Sequence, residues 1–231
     1  MTILSADQQI RLEKANKKLM SNPNDLDALQ KRGDLLRIGE DYLGALRDFD
    51  SADRIKPNDP DTLRVRGATK RRLGDYAGAL SDLDKADLLR PEDAYILKVR
   101  GATKVDMGDY RGALSDLNSA ENFSPEDYFT LQYRGIAKRE LGDLEGAMED
   151  LNISLKVYPP DYFTLSQRAK TKIAKNDLRG ALLDMNRAID IKELPVLYRQ
   201  RADLKDLMQN AKGAEEDREI AARKEAAPKN V

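Results

Sequence analysis

The dipeptide Arg-Gly recurs at Arg32-Gly33, Arg66-Gly67, Arg100-Gly101 and Arg134-Gly135, each 34 residues after the last. The series continues as Arg168-Ala169 and, one residue early, as Arg201-Ala202. A second set is interleaved with it: Gly44-Ala45-Leu46, Gly78-Ala79-Leu80, Gly112-Ala113-Leu114, Gly146-Ala147-Met148, Gly180-Ala181-Leu182 and Gly213-Ala214. A fixed period of this length constrains the chain more than any average property does. Each unit is one small supersecondary element that can bury its apolar face only against its neighbours.

Within a unit, apolar residues recur at steps of three and four, the mark of amphipathic helix. In the second unit Leu63 opens a first helix, Gly74 stands where a left-handed C-terminal cap is needed, and Asp75 follows as N-cap of a second helix. The same device returns as Gly108-Asp109, Gly142-Asp143 and Asn176-Asp177. Pro57, Pro91, Pro125 and Pro159 stop each second helix, because proline cannot continue the backbone ladder. Asp59, Asp93, Asp127 and Asp161 are placed to cap the helix that follows. No stretch alternates as a strand would. The pattern predicts helix, tight turn, helix, tight turn throughout.

This period and pattern resemble the tetratricopeptide repeat family, whose unit is a 34-residue helix–turn–helix. With the small residue of the Arg-Gly pair numbered as position eight, Gly33, Gly67, Gly101 and Gly135 fill that site, and Ala45, Ala79, Ala113, Ala147 and Ala181 fill position twenty. Ala52, Ala86, Ala120 and Ala188 match position twenty-seven, and Phe49, Leu83, Leu117, Leu151 and Met185 the large apolar site of the second helix. The resemblance implies an all-α, right-handed α-solenoid of about six repeats, at approximately 26–59, 60–93, 94–127, 128–161, 162–194 and 195–225. Residues 1–25 are expected to hold an N-terminal capping helix from Ala6 to Met20. The charged run Glu215-Glu216-Asp217-Arg218-Glu219 reads as a polar C-terminal helix closing the stack, followed by a disordered tail at 226–231.

The chain departs from the family's pattern at two sites. Position seven, usually leucine, is Arg32, Arg66, Arg100, Arg134, Arg168 and Arg201, and position eleven, usually tyrosine, is Lys70, Lys104, Lys138, Lys172 and Lys205. Position twenty-three is aspartate throughout: Asp48, Asp82, Asp116, Asp150, Asp184 and Asp217. In an antiparallel hairpin that turns near position fifteen, positions seven and twenty-three stand at equal height. A repeated Arg–Asp pair, within or between adjacent units and structural rather than ligand-binding, is therefore expected. The glycine at position nineteen of every unit is expected where two helices approach closely, since mid-helix glycine is otherwise unfavourable by roughly 0.5–1 kcal/mol.

The resemblance further implies a concave groove lined by the first helices, through positions two, five, six, nine, twelve and thirteen. On this sequence position two gives Asp27, Asp61, Tyr95, Phe129, Phe163 and Val196, three of them aromatics in consecutive units. Arg64, Arg71, Arg72, Lys98, Gln132, Tyr133, Arg139 and Lys170 fall beside them. Aromatic contacts rimmed by cations suit a peptide or helix with apolar anchors and acidic groups. Tyr128 and Tyr162, one position earlier, read as packing. The lysine–asparagine clamp by which some family members grip a chaperone's terminal carboxylates is absent: Gln30 and Asp34, Arg64 and Ala68, Lys98 and Ala102 occupy its sites.

Composition narrows the function classes. With no cysteine and no histidine, thiolate chemistry, disulfides and the commonest acid–base and metal-binding side chain are missing. No phosphate loop or nucleophile–base pair stands out, so neither enzyme activity, nor a cofactor, nor a metal is expected. Lys+Arg 40 against Asp+Glu 41 leaves no global field for nucleic acid or an anionic membrane. A basic RNA groove would be interrupted by Asp27, Asp34, Asp61, Asp106 and Glu140. The first residues do not form a secretory signal, and no apolar run approaches the roughly 20 residues of a membrane span, so a cytoplasmic location is expected. The leading expectation is a non-catalytic module that binds a partner protein or peptide. The alternative is a structural or self-assembling homodimeric scaffold, including a designed or reconstructed sequence without a natural ligand.

Overall fold

The computed structural model describes residues 4–226; of the tail expected at 226–231, Ala226 is instead the last residue of a helix and the rest lies outside the described residues. Among the described residues there are thirteen α-helices and no strand. The chain divides into two compact units at Ser124/Pro125. The first holds α1 (Ala6–Ser21), α2 (Leu26–Ile38), α3 (Tyr42–Ile55), α4 (Pro60–Arg72), α5 (Tyr76–Leu89), α6 (Ala94–Asp106) and α7 (Tyr110–Phe123). The second holds α8 (Tyr128–Glu140), α9 (Leu144–Val157), α10 (Tyr162–Ala174), α11 (Leu178–Ile191), α12 (Pro195–Leu207) and α13 (Ala211–Ala226). In each unit consecutive helices pair as antiparallel hairpins, α2/α3 to α6/α7 and α8/α9 to α12/α13, and α1 packs on α2. First helices also touch along the stack, α2 with α4, α4 with α6, and α8 with α10.

The turns follow from the residues read as punctuation. Gly74, Gly108 and Gly142 take φ of +83°, +81° and +89°, and Asn176 takes 61° at the equivalent place. The left-handed step lets the next amide reach back and close the helix, as Asp75 N–H does to Lys70 C=O at 3.0 Å. Asp75 then accepts from the Gly78 amide at 2.9 Å and starts α5. Aspartate caps α2 to α11 in this way; α12 begins instead on Pro195, with no side-chain cap. Each such cap contributes about 1 kcal/mol.

The two glycine sites have different causes. At position eight the partner helix lies directly over the glycine: a Cβ on Gly101 would stand 2.6 Å from Leu117 Cγ and 3.2 Å from the Ala113 carbonyl oxygen. Gly33, Gly67 and Gly135 meet Phe49, Leu83 and Leu151 in the same manner. Ala169, which carries the methyl, faces the unbranched Met185 instead, a side chain that adapts its path. Position nineteen corrects the sequence expectation of close helix approach. A Cβ on Gly112 would lie 2.1 Å from the Asp109 carboxylate, its own N-cap, and the other position-nineteen glycines likewise meet their own caps. The tight turn sets Asp109 at ψ 73°, folding its carboxylate across the first helical turn. At the first helices the caps open to ψ 102–117° in α2, α4, α6 and α8, and a side chain such as Thr62 fits in the corresponding place.

The expected Arg–Asp pairs form in all six hairpins. Arg66 Nε and Nη2 each donate to Asp82 at 2.8 Å, and the same two-bond fork joins Arg32 to Asp48, Arg100 to Asp116, Arg134 to Asp150, Arg168 to Asp184 and Arg201 to Asp217. The position-eleven lysine adds a second cation to the same aspartate in five hairpins, as Lys70 does to Asp82 at 2.8 Å. The remaining guanidinium nitrogen, Nη1, reaches back to the second helix before it. Arg66 meets Asp50 and Asp53, Arg100 meets Asp84 and Asp87, Arg168 meets Asn152, and Arg201 meets Asn186. These position-twenty-three aspartates are buried, so each is stable only because planar, bidentate arginine satisfies both of its oxygens.

Candidate functional site

The first helices present two clusters of the residues singled out from the sequence, one in each unit. In the first unit, Tyr95 on α6 lies between two cations. The Arg64 guanidinium of α4 stands 5.0 Å from its ring centroid and Lys98 Nζ, one turn along α6, 5.7 Å away. Arg64 is itself held by Asp61 at 3.1 Å, and Arg90 grips the same carboxylate with bonds of 2.7 and 2.8 Å. Hydrogen bonds from Arg90 first, and then from Arg64, outweigh desolvation and hold the Asp61 carboxyl well below the usual range. Arg71 is buried and pairs with Asp106 of the next first helix at 2.8 Å. Desolvation raises the Asp106 carboxyl above its ordinary value against the pull of Arg71. Arg72 donates to the Tyr42 hydroxyl at 3.2 and 2.9 Å and lies over its ring.

In the second unit the aromatics form a continuous row. Phe129 and Tyr133 on α8 have centroids 4.6 Å apart, and Tyr133 and Phe163 of α10 are 5.8 Å apart, all in tilted contact and all half-buried. Such contacts each add roughly 0.5–1.5 kcal/mol beyond area burial. Gln132 on α8 is buried, donating to Asp161 at 3.0 Å and Thr164 at 2.5 Å. Arg139 donates to the Gln167 carbonyl and side chain at 3.3 and 3.0 Å, and pairs with Glu140 at 2.8 Å. Lys170 is half-buried two turns along α10 from Phe163. Tyr128 stacks on Tyr158 at 4.1 Å and Tyr162, partly buried, packs against the core, both as the sequence suggested.

Several of these side chains tie one first helix to the next: Arg71 to Asp106, Gln132 to Thr164, Arg139 to Gln167. Sequence reasoning missed that stitching role. Its signal was present: Gln30 makes the same bonds to Asp59 and Thr62 at 3.1 and 2.9 Å, so Gln at position five meets an Asp-x-x-Thr cap one repeat later. Among the described residues no helix is long and apolar enough to cross a membrane.

No protein-family model matches the chain, and no curated protein matches it significantly in sequence. Solved structures do match in shape. A tetratricopeptide repeat protein from Parabacteroides merdae aligns with a TM-score of 0.72 at 21% identity, over 95% of this chain and 86% of that one. A thermophilic protein of the same repeat class from Thermus thermophilus aligns at 0.64 and 22% identity, over 81% and 98%. YrrB, described as a repeat protein of this class with an unusual peptide-binding site, aligns at 0.57 and 20% identity, over 80% and 96%. The fold is that of the tetratricopeptide repeat proteins.

Proposed function

We propose, from a tetratricopeptide repeat fold with aromatic and cationic first-helix faces, that the chain is a non-catalytic module that binds a peptide or helix of a partner protein. The row Phe129–Tyr133–Phe163 carries this reading. It spans two successive first helices, remains half-buried rather than covered, and offers the rigid contact area that dominates binding surfaces. Cations on the aromatic-bearing helices, Lys170 two turns along α10 from Phe163 and Lys98 over Tyr95, favour a partner that brings acidic groups along with apolar side chains. YrrB, with its own peptide-binding site on this fold, supports the reading by analogy.

The test is selection of displayed random peptides on the whole chain, followed by affinity measurement on Phe129→Ala/Phe163→Ala. Losing two anchor rings is expected to weaken binding about 100-fold or more, the effect of two anchors at roughly 1.5–2 kcal/mol each, while the circular dichroism of the helices is retained. Unchanged binding would place the site elsewhere. Light scattering on the same sample separates the scaffold alternative, because a self-assembled chain would exceed the 26.0 kDa monomer.

A further inference from the structure

Almost every cation singled out on the first-helix faces has a partner within the chain. Arg64 has Asp61, Arg71 has Asp106, Arg72 has the Tyr42 hydroxyl, Lys98 has the Tyr95 ring, and Arg139 has Glu140 and Gln167. Lys170 differs: it makes no hydrogen bond or ion pair among the described residues. Lys172, two residues on, shows the contrast, with Asp184 at 2.7 Å and the Gly180 carbonyl at 3.3 Å. Desolvation first, and then the Arg139 charge, push the Lys170 ammonium below the ordinary lysine range, while Glu140 opposes them without prevailing. A half-buried ammonium with no directly bonded counter-charge is unfavourable for folding. The fold therefore gains nothing from a lysine here, and perturbed charges of this kind concentrate at binding sites.

We propose that Lys170 forms a subsite for a carboxylate of the bound peptide, two turns along α10 from the Phe163 ring that receives an apolar side chain. The assignment rests on the groove reading above and adds a ligand pattern to it. Phe163 and Lys170 are seven residues apart on one face of α10, about 10 Å along the helix axis. An extended peptide covers that distance in about three residues. The matching ligand is an aromatic or large aliphatic residue followed, three positions later, by an acidic one. Glu140 does not spoil the subsite, because Arg139 Nη2 already holds it at 2.8 Å.

The experiment uses acetyl-Phe-Ala-Ala-Glu-amide and its Gln twin as probes, with the full chain carrying 13C-methylated lysines and assigned aromatic signals. The Glu peptide is expected to shift Phe163, Tyr133 and Lys170 together, raise the Lys170 pKa, and bind about five- to ten-fold more tightly than the Gln peptide, the size of one charge-assisted contact. In Lys170→Met that preference is expected to vanish while the aromatic shifts persist. Equal affinities with Lys170 unmoved would overturn the carboxylate subsite and leave the groove standing. Absence of aromatic shifts with either peptide would overturn both.

Discussion

Arg100 holds Asp116 by two parallel bonds, Nε to Oδ2 and Nη2 to Oδ1, both at 2.9 Å, while its Nη1 bonds Asp87 of the preceding repeat at 2.8 Å. One side chain thus closes its own hairpin and fastens that hairpin to the one before it. Arg66 does the same with Asp82 and Asp53. In these repeats the family's apolar contact at position seven is replaced by charge geometry, with consequences that differ from those of an ordinary core.

Removing the guanidinium should be costly. Arg100→Met leaves the buried Asp116 with Lys104 alone and strips Asp87 of its bond, so a loss of about 2–4 kcal/mol in urea unfolding is expected. Arg100→Lys keeps the charge but not the fork, and should recover less than half of that loss. Full recovery by lysine would mean that charge alone, and not planar geometry, holds the hairpin.

Acid should act on the same pairs. Burial would raise the carboxyls of Asp184 and Asp217, yet hydrogen bonds from Arg168 and Lys172, and from Arg201 and Lys205, hold both below the ordinary range. A carboxyl depressed in the folded state contributes stability that is complete above its unfolded value of about 4 and is lost as pH falls through the folded value. The urea midpoint is therefore expected to stay level down to about pH 5 and to drop below it. Asp184→Asn should lower the neutral-pH midpoint and make the subsequent drop shallower; a parallel curve would dissociate this carboxyl from the acid response.

The two glycine positions should respond differently to one methyl group. Gly101→Ala drives a Cβ into Leu117 and towards a backbone carbonyl, and overpacking of this kind typically costs about 1–3 kcal/mol. Adding Leu117→Met, which copies the Ala169/Met185 combination, is expected to return part of it. Gly112→Ala only pushes aside the Asp109 cap, a loss of about 1 kcal/mol offset by better helix propensity, so its thermal midpoint should move little. Similar penalties at the two sites would contradict the separate causes assigned to them.

Neighbouring lysines offer a sharper contrast. Lys172→Met removes bonds to Asp184 and to the Gly180 carbonyl and is expected to destabilise by about 1.5–3 kcal/mol. Lys170→Met removes an unpaired ammonium and should leave stability within about 0.5 kcal/mol of the parent, or raise it. Comparable losses in the two variants would reveal a structural partner for Lys170.

How much of this could be read from the sequence depends on whether a contact lies inside a hairpin or between hairpins. The Arg66–Asp82 pair was legible because a two-helix turn fixes which positions stand level. Which aspartate of the neighbouring repeat it would also meet was not, since the period alone does not say how one hairpin is rotated against the next, and it proves to be Asp53. The same limit hid the ties of Gln132 to Thr164 and Arg139 to Gln167. Residues that looked like exposed groove contacts prove to be fastened to a neighbouring helix. Gly112 was misread for a more local reason: composition shows a missing side chain but not which neighbour requires the space, and here it is the cap three residues earlier.

The one-residue deletion between the fifth and sixth repeats has a wider meaning. In every hairpin, arginine and aspartate are 16 residues apart, while the reach-back from Arg201 to Asn186 spans 15 where that from Arg168 to Asn152 spans 16. The constant interval lies within a hairpin, and the tolerance lies in the joint between hairpins. An array built this way can be lengthened, shortened or spliced at its joints, with each module arriving already fastened. Such a splice would need only the arginine's reach-back across the joint to form anew.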